Sequence, residues 1–380
     1  MKKNTNSEDE WASEKLDNSD KERFIGRRNY LKATGAVLSV VPFIGRISAG
    51  NDTEKVPWVL GKNGVKEYRE VPIEWYNQRN LARKVNEQIT QNHLDEKGVV
   101  SVGQVAGSTS FEGDAPFYEL NIRVEVNPDD FEGGIPDQVR GVPIQVMEAE
   151  EQGLASCTND GDFSVMPGGV TIEPASGGFG TSCCRVKWDG QYWMLTAAHL
   201  WGACGGDING DSADQNGDYI GDVKRHDADS DFALVSDYTL DTRFDNTIHD
   251  GSSRTEVTGV LSKPAIDAFV GGSSDGIRKV GVTTGFNKGN LTASGTSSGF
   301  DCVDFEGEGI QWDIDTAEGD SGGPLYTNPS NDGLNMAGIT QMYVNQYDTA
   351  SCGSNNALAS SGRGVAAYHL RNNKNLTFDT

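Results

Sequence analysis

The stretch Asp315-Thr-Ala-Glu-Gly-Asp-Ser-Gly-Gly-Pro324, DTAEGDSGGP in one-letter code, sets a single hydroxyl, that of Ser321, among residues that favour turns. Glycine admits backbone angles that other residues resist and lets main chain approach a bound molecule closely. Ser321 is therefore either a nucleophile in a tight turn or an ordinary turn residue. The choice depends on partners elsewhere in the chain.

Upstream, QYWMLTAAHLW (191–201) reads as an apolar strand running into a short helical turn at His199. DSDFALVS (229–236) places Asp231 directly before a second apolar strand, with Asp227 and Asp229 as rival carboxylates. KVGVTTGFNKGNLTASG (279–295) reads as strand, turn and strand. Short apolar runs parted by Gly, Asp, Asn and Ser turns describe an all-β sandwich or barrel through this half of the chain. His226, His249 and His369 lack such a context and read as surface residues.

These motifs, TAAH, DFAL and GDSGGP in that order, resemble the trypsin/chymotrypsin family of serine endopeptidases over roughly residues 165–370. The order His, Asp, Ser differs from that of subtilisin-like enzymes and α/β-hydrolases, which place the same groups in other orders. The resemblance implies a mainly β protein, a chymotrypsin-like double β-barrel preceded by a small α+β domain. It implies His199 as general base, Asp231 as its orienting carboxylate and Ser321 as nucleophile, with the N–H groups of Gly319 and Ser321 forming an oxyanion hole. The chemistry requires such residues, because an aliphatic hydroxyl attacks at neutral pH only while a base removes its proton. The rival from another class is a protease-fold binding protein whose site is occluded.

The resemblance also implies that Asp315, six positions before Ser321, floors the primary specificity pocket and selects Arg or Lys. Ala317 stands where a pocket-framing cysteine is usual, and GITQMYV (338–344) replaces the usual Ser-Trp-Gly wall, so that Gln341 to Tyr343 narrow the cavity. Asp320 matches an aspartate that pairs with a freed N-terminus, yet no Ile-Val-Gly-Gly start precedes the domain. Cys184 takes the family position that staples the strand before the histidine. Leu200 stands where its partner belongs, leaving Cys204 as a substitute and the adjacent Cys183 as a competitor; Cys302 and Cys352 form a second candidate pair.

Six cysteines with no C-x-x-C spacing, and only five histidines, argue against structural zinc and for disulfides in an exported protein. No cofactor is required by this chemistry. Calcium is a candidate ligand of DINGDSADQNGD (207–218), where Asp207, Asn209, Asp211 and Asp218 alternate as in calcium loops, against a solvated acidic loop as the alternative.

Residues 1–49 read as an export signal behind an acidic, disordered start. Arg27-Arg28 and Leu31-Lys32 precede a short apolar run, in the layout of a twin-arginine signal, and Pro42 and Gly45 interrupt that run. The expected location is extracellular, with no stable membrane insertion after processing. Residues 50–156 then read as a small α+β domain and resemble the N-terminal region that precedes trypsin-like domains in many microbial proteins, which implies a pro-like or regulatory module that inhibits the rest or assists its folding. A helix is expected from Pro72 to Leu94 and strands at 99–105, 117–126 and 141–149. Residues 157–380 form the protease-like domain, whose partners are protein or peptide substrates. The net charge of −24 opposes binding to nucleic acid or anionic membranes and resembles the surfaces of proteins from salt-loving microbes.

Overall fold

A computed structural model describes residues 52–378, apart from 112–116, 132, 149–151, 154–162, 176, 203–205, 237–242, 273–275, 301–302, 329–332 and 352–354. The export signal and Cys157, Cys204, Cys302 and Cys352 lie outside the described residues.

Pro72 opens the helix Ile73–His93, where its missing N–H and fixed φ of −55° suit the entry to a helix. Trp75, Arg79, Ala82, Val85, Asn86 and Ile89 recur at the helical period and form its buried face. That face lies on the strands Val99–Phe111 and Phe117–Val126, with the Trp75 indole N–H donating to the Tyr118 carbonyl at 3.0 Å. In the second strand apolar side chains fill the inward positions, and Leu120, Ile122 and Val124 are fully buried.

Helix and strands form the expected helix on a small sheet, but that sheet runs on into the second half of the chain. Val99–Phe111 pairs antiparallel with Leu291–Phe300, Ala293 lying opposite Val105, and Thr53–Gly61 pairs with Arg254–Leu261, Val59 lying opposite Leu261. Buried ion pairs cross the same junction, Arg79 to Asp267 at 2.6 Å and Glu125 to Arg363. Sheets and buried charges thus span the position 156/157, and Ala49–Thr380 is one compact unit.

The rest is mainly β, with its strands gathered in curled sheets. Among the described residues, seven strands form a sheet in the order Gly180–Thr181, Thr171–Pro174, Ser212–Gln215, Asp218–Asp227, Phe232–Ser236, Gln191–Thr196 and Arg185–Trp188. Its core includes Met166, Ile172, Met194, Ile220, Val223, Val235 and Phe244. Met166–Gly168, Phe244–His249, Arg254–Leu261 and the strands from Ile277 to Val365 build the two other sheets, together with those contributed by residues 53–153. Met342–Ser351 pairs with Asn355–Val365 along one edge; along the other it carries Gln152–Gly153, with Gly153 opposite Tyr343 and Gln152 opposite Val344. The segment 279–295, expected as strand, turn and strand, holds three strands, Ile277–Gly281, Gly285–Gly289 and Leu291–Phe300, because Gly289 and Asn290 break the second half.

Candidate active site

Strand pairing brings His199 and Asp231 together. Gln191–Thr196 runs antiparallel to Phe232–Ser236, with Thr196 opposite Ala233, so the residues just beyond Thr196 meet those just before Phe232. His199 rides on the 3₁₀ turn Ala198–Trp201, closed by Gly202 in the left-handed conformation. One Asp231 oxygen accepts the His199 backbone N–H at 2.8 Å, and the other lies 2.6 Å from His199 Nδ1. Both side chains are buried. Burial alone would push the His199 imidazole below its ordinary value, but the adjoining Asp231 charge and hydrogen bond outweigh it and hold the group above 6.5. Asp227 and Asp229 do not compete for this place. Asp227 Oδ2 pairs with Lys374 Nζ at 2.6 Å, and Asp229 is exposed.

The serine turn packs against the strand that leads to His199. Gly322 has φ of 87°, and a Cβ there would fall 2.2 Å from both the Thr181 carbonyl and Thr196 Oγ1. Only glycine therefore lets the turn close onto Thr196. Gly319, at φ of 91°, is likewise in glycine territory. The Ser321 carbonyl accepts the Thr181 N–H at 2.7 Å, and the buried Ser321 hydroxyl donates to the Gln341 carbonyl at 3.2 Å. Neither the Gly319 nor the Ser321 N–H is hydrogen-bonded to another described residue.

Between them Asp320 turns inward. It is fully buried and accepts from Lys279 Nζ at 2.5 Å, Thr284 Oγ1 at 2.7 Å and the N–H groups of Ala317, Thr283 and Thr284 at 2.9, 3.1 and 3.2 Å. Burial pushes the Lys279 ammonium below its ordinary value, while Asp320 supports the charge. An internal lysine is thus the counter-charge of Asp320, in keeping with the missing Ile-Val-Gly-Gly start that put pairing with a freed N-terminus in doubt. Lys279 escaped the sequence reading, although a cation between Ile277 and Val280 in an apolar strand is a signal of a buried pair.

Three further groups hold the turn that carries Asp231. Asp227 Oδ1 accepts the Ser230 N–H at 2.9 Å, His369 Nε2 lies 3.3 Å from Ser230 Oγ, and Gln341 Nε2 donates to the carbonyls of Ser230 and Asp231. His369 is therefore half-buried beside the site rather than at the surface, and burial lowers it below its ordinary value. His226 and His249 are each partly covered, with Nδ1 buried. Gln341 is fully buried and reaches the Asp231 turn instead of merely narrowing a cavity. Its position within the apolar run LNMAGITQMYV could have marked it.

Asp315 is exposed, at the entrance to the serine turn, where its charge supports the Lys279 ammonium. Cys183 and Cys184 are buried free thiols, so the expected staple from Cys184 is not formed. In the acidic loop, Asp207 Oδ1 accepts both the backbone and side-chain N–H of Asn209, closing a local turn. Among the described residues no group of three or more His, Cys, Asp or Glu side chains is placed to hold a metal ion.

No family model matches the chain, and no curated protein matches it. Among solved structures it is similar to a glutamic acid specific serine protease described as using a histidine triad in substrate binding, at 18% identity over 56% of this chain and 99% of that one, with a TM-score of 0.40. Cellulomonas bogoriensis chymotrypsin is similar at 18% identity over 56% of this chain and 96% of its own, with a TM-score of 0.40. Thermobifida fusca protease A is similar at 18% identity over 56% and 97%, with a TM-score of 0.41.

Proposed function

We propose that this protein is an exported serine endopeptidase working through Ser321, His199 and Asp231. The observation that carries the reading is the buried Asp231–His199 pair, closed onto the Ser321 turn through Thr196 and Gln341. In the reaction the Ser321 hydroxyl leaves the Gln341 carbonyl, passes its proton to His199 Nε2 and attacks the peptide carbonyl carbon. Asp231 keeps the Nδ1 proton in place and stabilises the imidazolium that forms. The oxyanion is received by the Gly319 and Ser321 N–H groups, each such donor being worth about 3 kcal/mol in comparable sites. The imidazolium then protonates the leaving amine, and water, deprotonated by the same histidine, releases the acid and regenerates the serine. The test is turnover of peptide esters: Ser321→Ala should lower kcat by about 10³-fold or more in a chain that still folds. Equal activity in that variant would refute the assignment.

Asp315 extends the reading to substrates with Arg or Lys at the cleaved bond. Its exposure beside the serine turn supports recognition of a cation at the mouth of the site rather than in a sealed pocket. The acidic surface suits work outside the cell in strong salt, and calcium at 207–218 is retained only as a stabilising ligand.

A second element of the proposal concerns residues 50–156. Extended peptides bind proteins by adding a strand to an open sheet edge. Met342–Ser351 begins immediately after Gln341, whose carbonyl touches the nucleophile, and its outer edge is taken by Gln152–Gly153 of the same chain. That strand occupies the edge a substrate would use, so the N-terminal segment acts as an inhibitor in cis. Gly153→Pro, which removes the backbone N–H facing Tyr343, should raise kcat/KM several-fold on a peptide substrate. Unchanged kcat/KM in a folded variant would remove the inhibitory role.

A further inference from the structure

Among the described residues Asp231 is one of few non-glycine residues in the left-handed region, with φ of 44°. A residue kept there needs surroundings that impose the conformation. The peptide groups on either side of its Cα end in the carbonyls of Ser230 and Asp231. Both carbonyls face one side-chain donor, Gln341 Nε2, at 2.6 and 3.1 Å, while longer backbone bonds tie the same peptide groups, from Asp231 N–H to the Ala228 carbonyl at 3.4 Å and from Ala198 N–H to the Asp231 carbonyl at 3.3 Å. Fixing both flanking peptide planes fixes φ and ψ of the residue between them. The Asp231 carboxylate in turn makes two bonds to His199, through the backbone N–H and Nδ1, which only one orientation of its side chain permits. The main chain of the same glutamine accepts the Ser321 hydroxyl, and its N–H donates to the Arg363 carbonyl at 3.0 Å. One fully buried residue therefore touches the turn of the carboxylate and the nucleophile.

We propose that Gln341 is a positioning residue, its side-chain amide clamping Asp231 in the left-handed conformation that aims the carboxylate at His199. The inference rests on the Ser321–His199–Asp231 reading for its kinetic consequence, but not for its structural one. The titratable groups around the clamped turn are Asp227 with Lys374, the exposed Asp229, and His369 with Glu308; none is altered by changing Gln341.

The test compares the full chain with Gln341→Met, which keeps the length and apolar bulk but has no donor. Two quantities are read: the His199 titration by NMR of the labelled imidazole, and kcat and KM on a peptide ester. Without the clamp, Asp231 no longer holds its oxygen against Nδ1, so burial prevails and the imidazole titrates at lower pH than in the parent chain. A misplacement of about 1 Å is worth roughly 10²-fold in rate, and that loss should fall on kcat with KM little changed. If Gln341→Met does not fold, Gln341→Asn, one methylene shorter and able to reach at most one carbonyl, should show the same downward shift at smaller size. A folded variant with the His199 titration of the parent overturns the proposal. If the titration shifts as stated while the parent chain hydrolyses nothing, the clamp stands and the peptidase reading fails.

Discussion

At the scale of single residues the site depends on groups whose neighbours reverse what burial would do to them. His199 is the clearest case. Burial favours the neutral ring, yet the Asp231 carboxylate at 2.6 Å raises the group above its ordinary 6.5. Under the proposed function His199 must be neutral to accept the Ser321 proton, so activity should rise as pH passes through this raised value. The acid limb of kcat/KM should therefore lie above pH 6.5, and Asp231→Asn should move it downward while lowering kcat. A limb at or below the ordinary value in the parent chain would contradict the geometry. The pairing of His199 with Asp231 was legible in the sequence, because a histidine after an apolar strand and an aspartate before one each leave a local mark, as does a serine among glycines. Lys279 and Gln341 left weaker marks. Each is a polar residue in an apolar run, and its role depends on a partner 41 or about 110 positions away.

Elements show the same division between local and distant information. The helix expected from Pro72 to Leu94 is Ile73–His93, and the strands expected at 99–105 and 117–126 are Val99–Phe111 and Phe117–Val126. Periodicity reports which face of an element is buried, but it does not name what covers that face. The strands Val99–Phe111 and Phe117–Val126 cover most of it, but part of the cover comes from beyond residue 250, and the clue to that part was a charge on the buried face, Arg79. Its guanidinium meets Asp267, which also accepts the Ser294 hydroxyl at 2.8 Å. Removing one partner of a buried pair leaves an uncompensated charge and typically costs about 3–5 kcal/mol. Arg79→Met should show a loss of that order in denaturant unfolding, reduced where Lys263, 3.8 Å from Asp267, takes over part of the pairing. The double variant Arg79→Met with Asp267→Leu should recover most of it. Burial raises both Asp267 and Glu125, but Lys263 and Arg79 for the first, and Arg363 and Arg123 for the second, hold both below their ordinary 3.8 and 4.5. For carboxylates lowered in the folded state, the stabilisation is present above those ordinary values and is lost as pH falls through the folded ones. Acid unfolding should therefore begin below about pH 4.

For the whole molecule, the junction between residues 50–156 and the later strands matters most. Two sheets and two buried ion pairs cross it, so the N-terminal segment is part of the body that supports the site. A chain cut near the junction should keep its two pieces associated, and size-exclusion chromatography without denaturant should show one species. Two separate peaks would mean that the shared sheets add little. The net charge of −24 acts at the same scale. Salt shortens the screening length from about 10 Å at 0.1 M to about 3 Å at 1 M, which relieves repulsion among surface carboxylates. The melting temperature should rise over that range, and a flat or falling profile would argue against adaptation to salt.

The most direct test of the central claim is covalent labelling of the full chain with a mechanism-based organophosphate, read by mass spectrometry of its peptides. A single adduct on Ser321, formed rapidly in the parent chain and slowed by about 10³-fold in His199→Ala, is the predicted result. No adduct in strong salt, or an adduct on Ser321 formed equally fast without His199, would contradict the account.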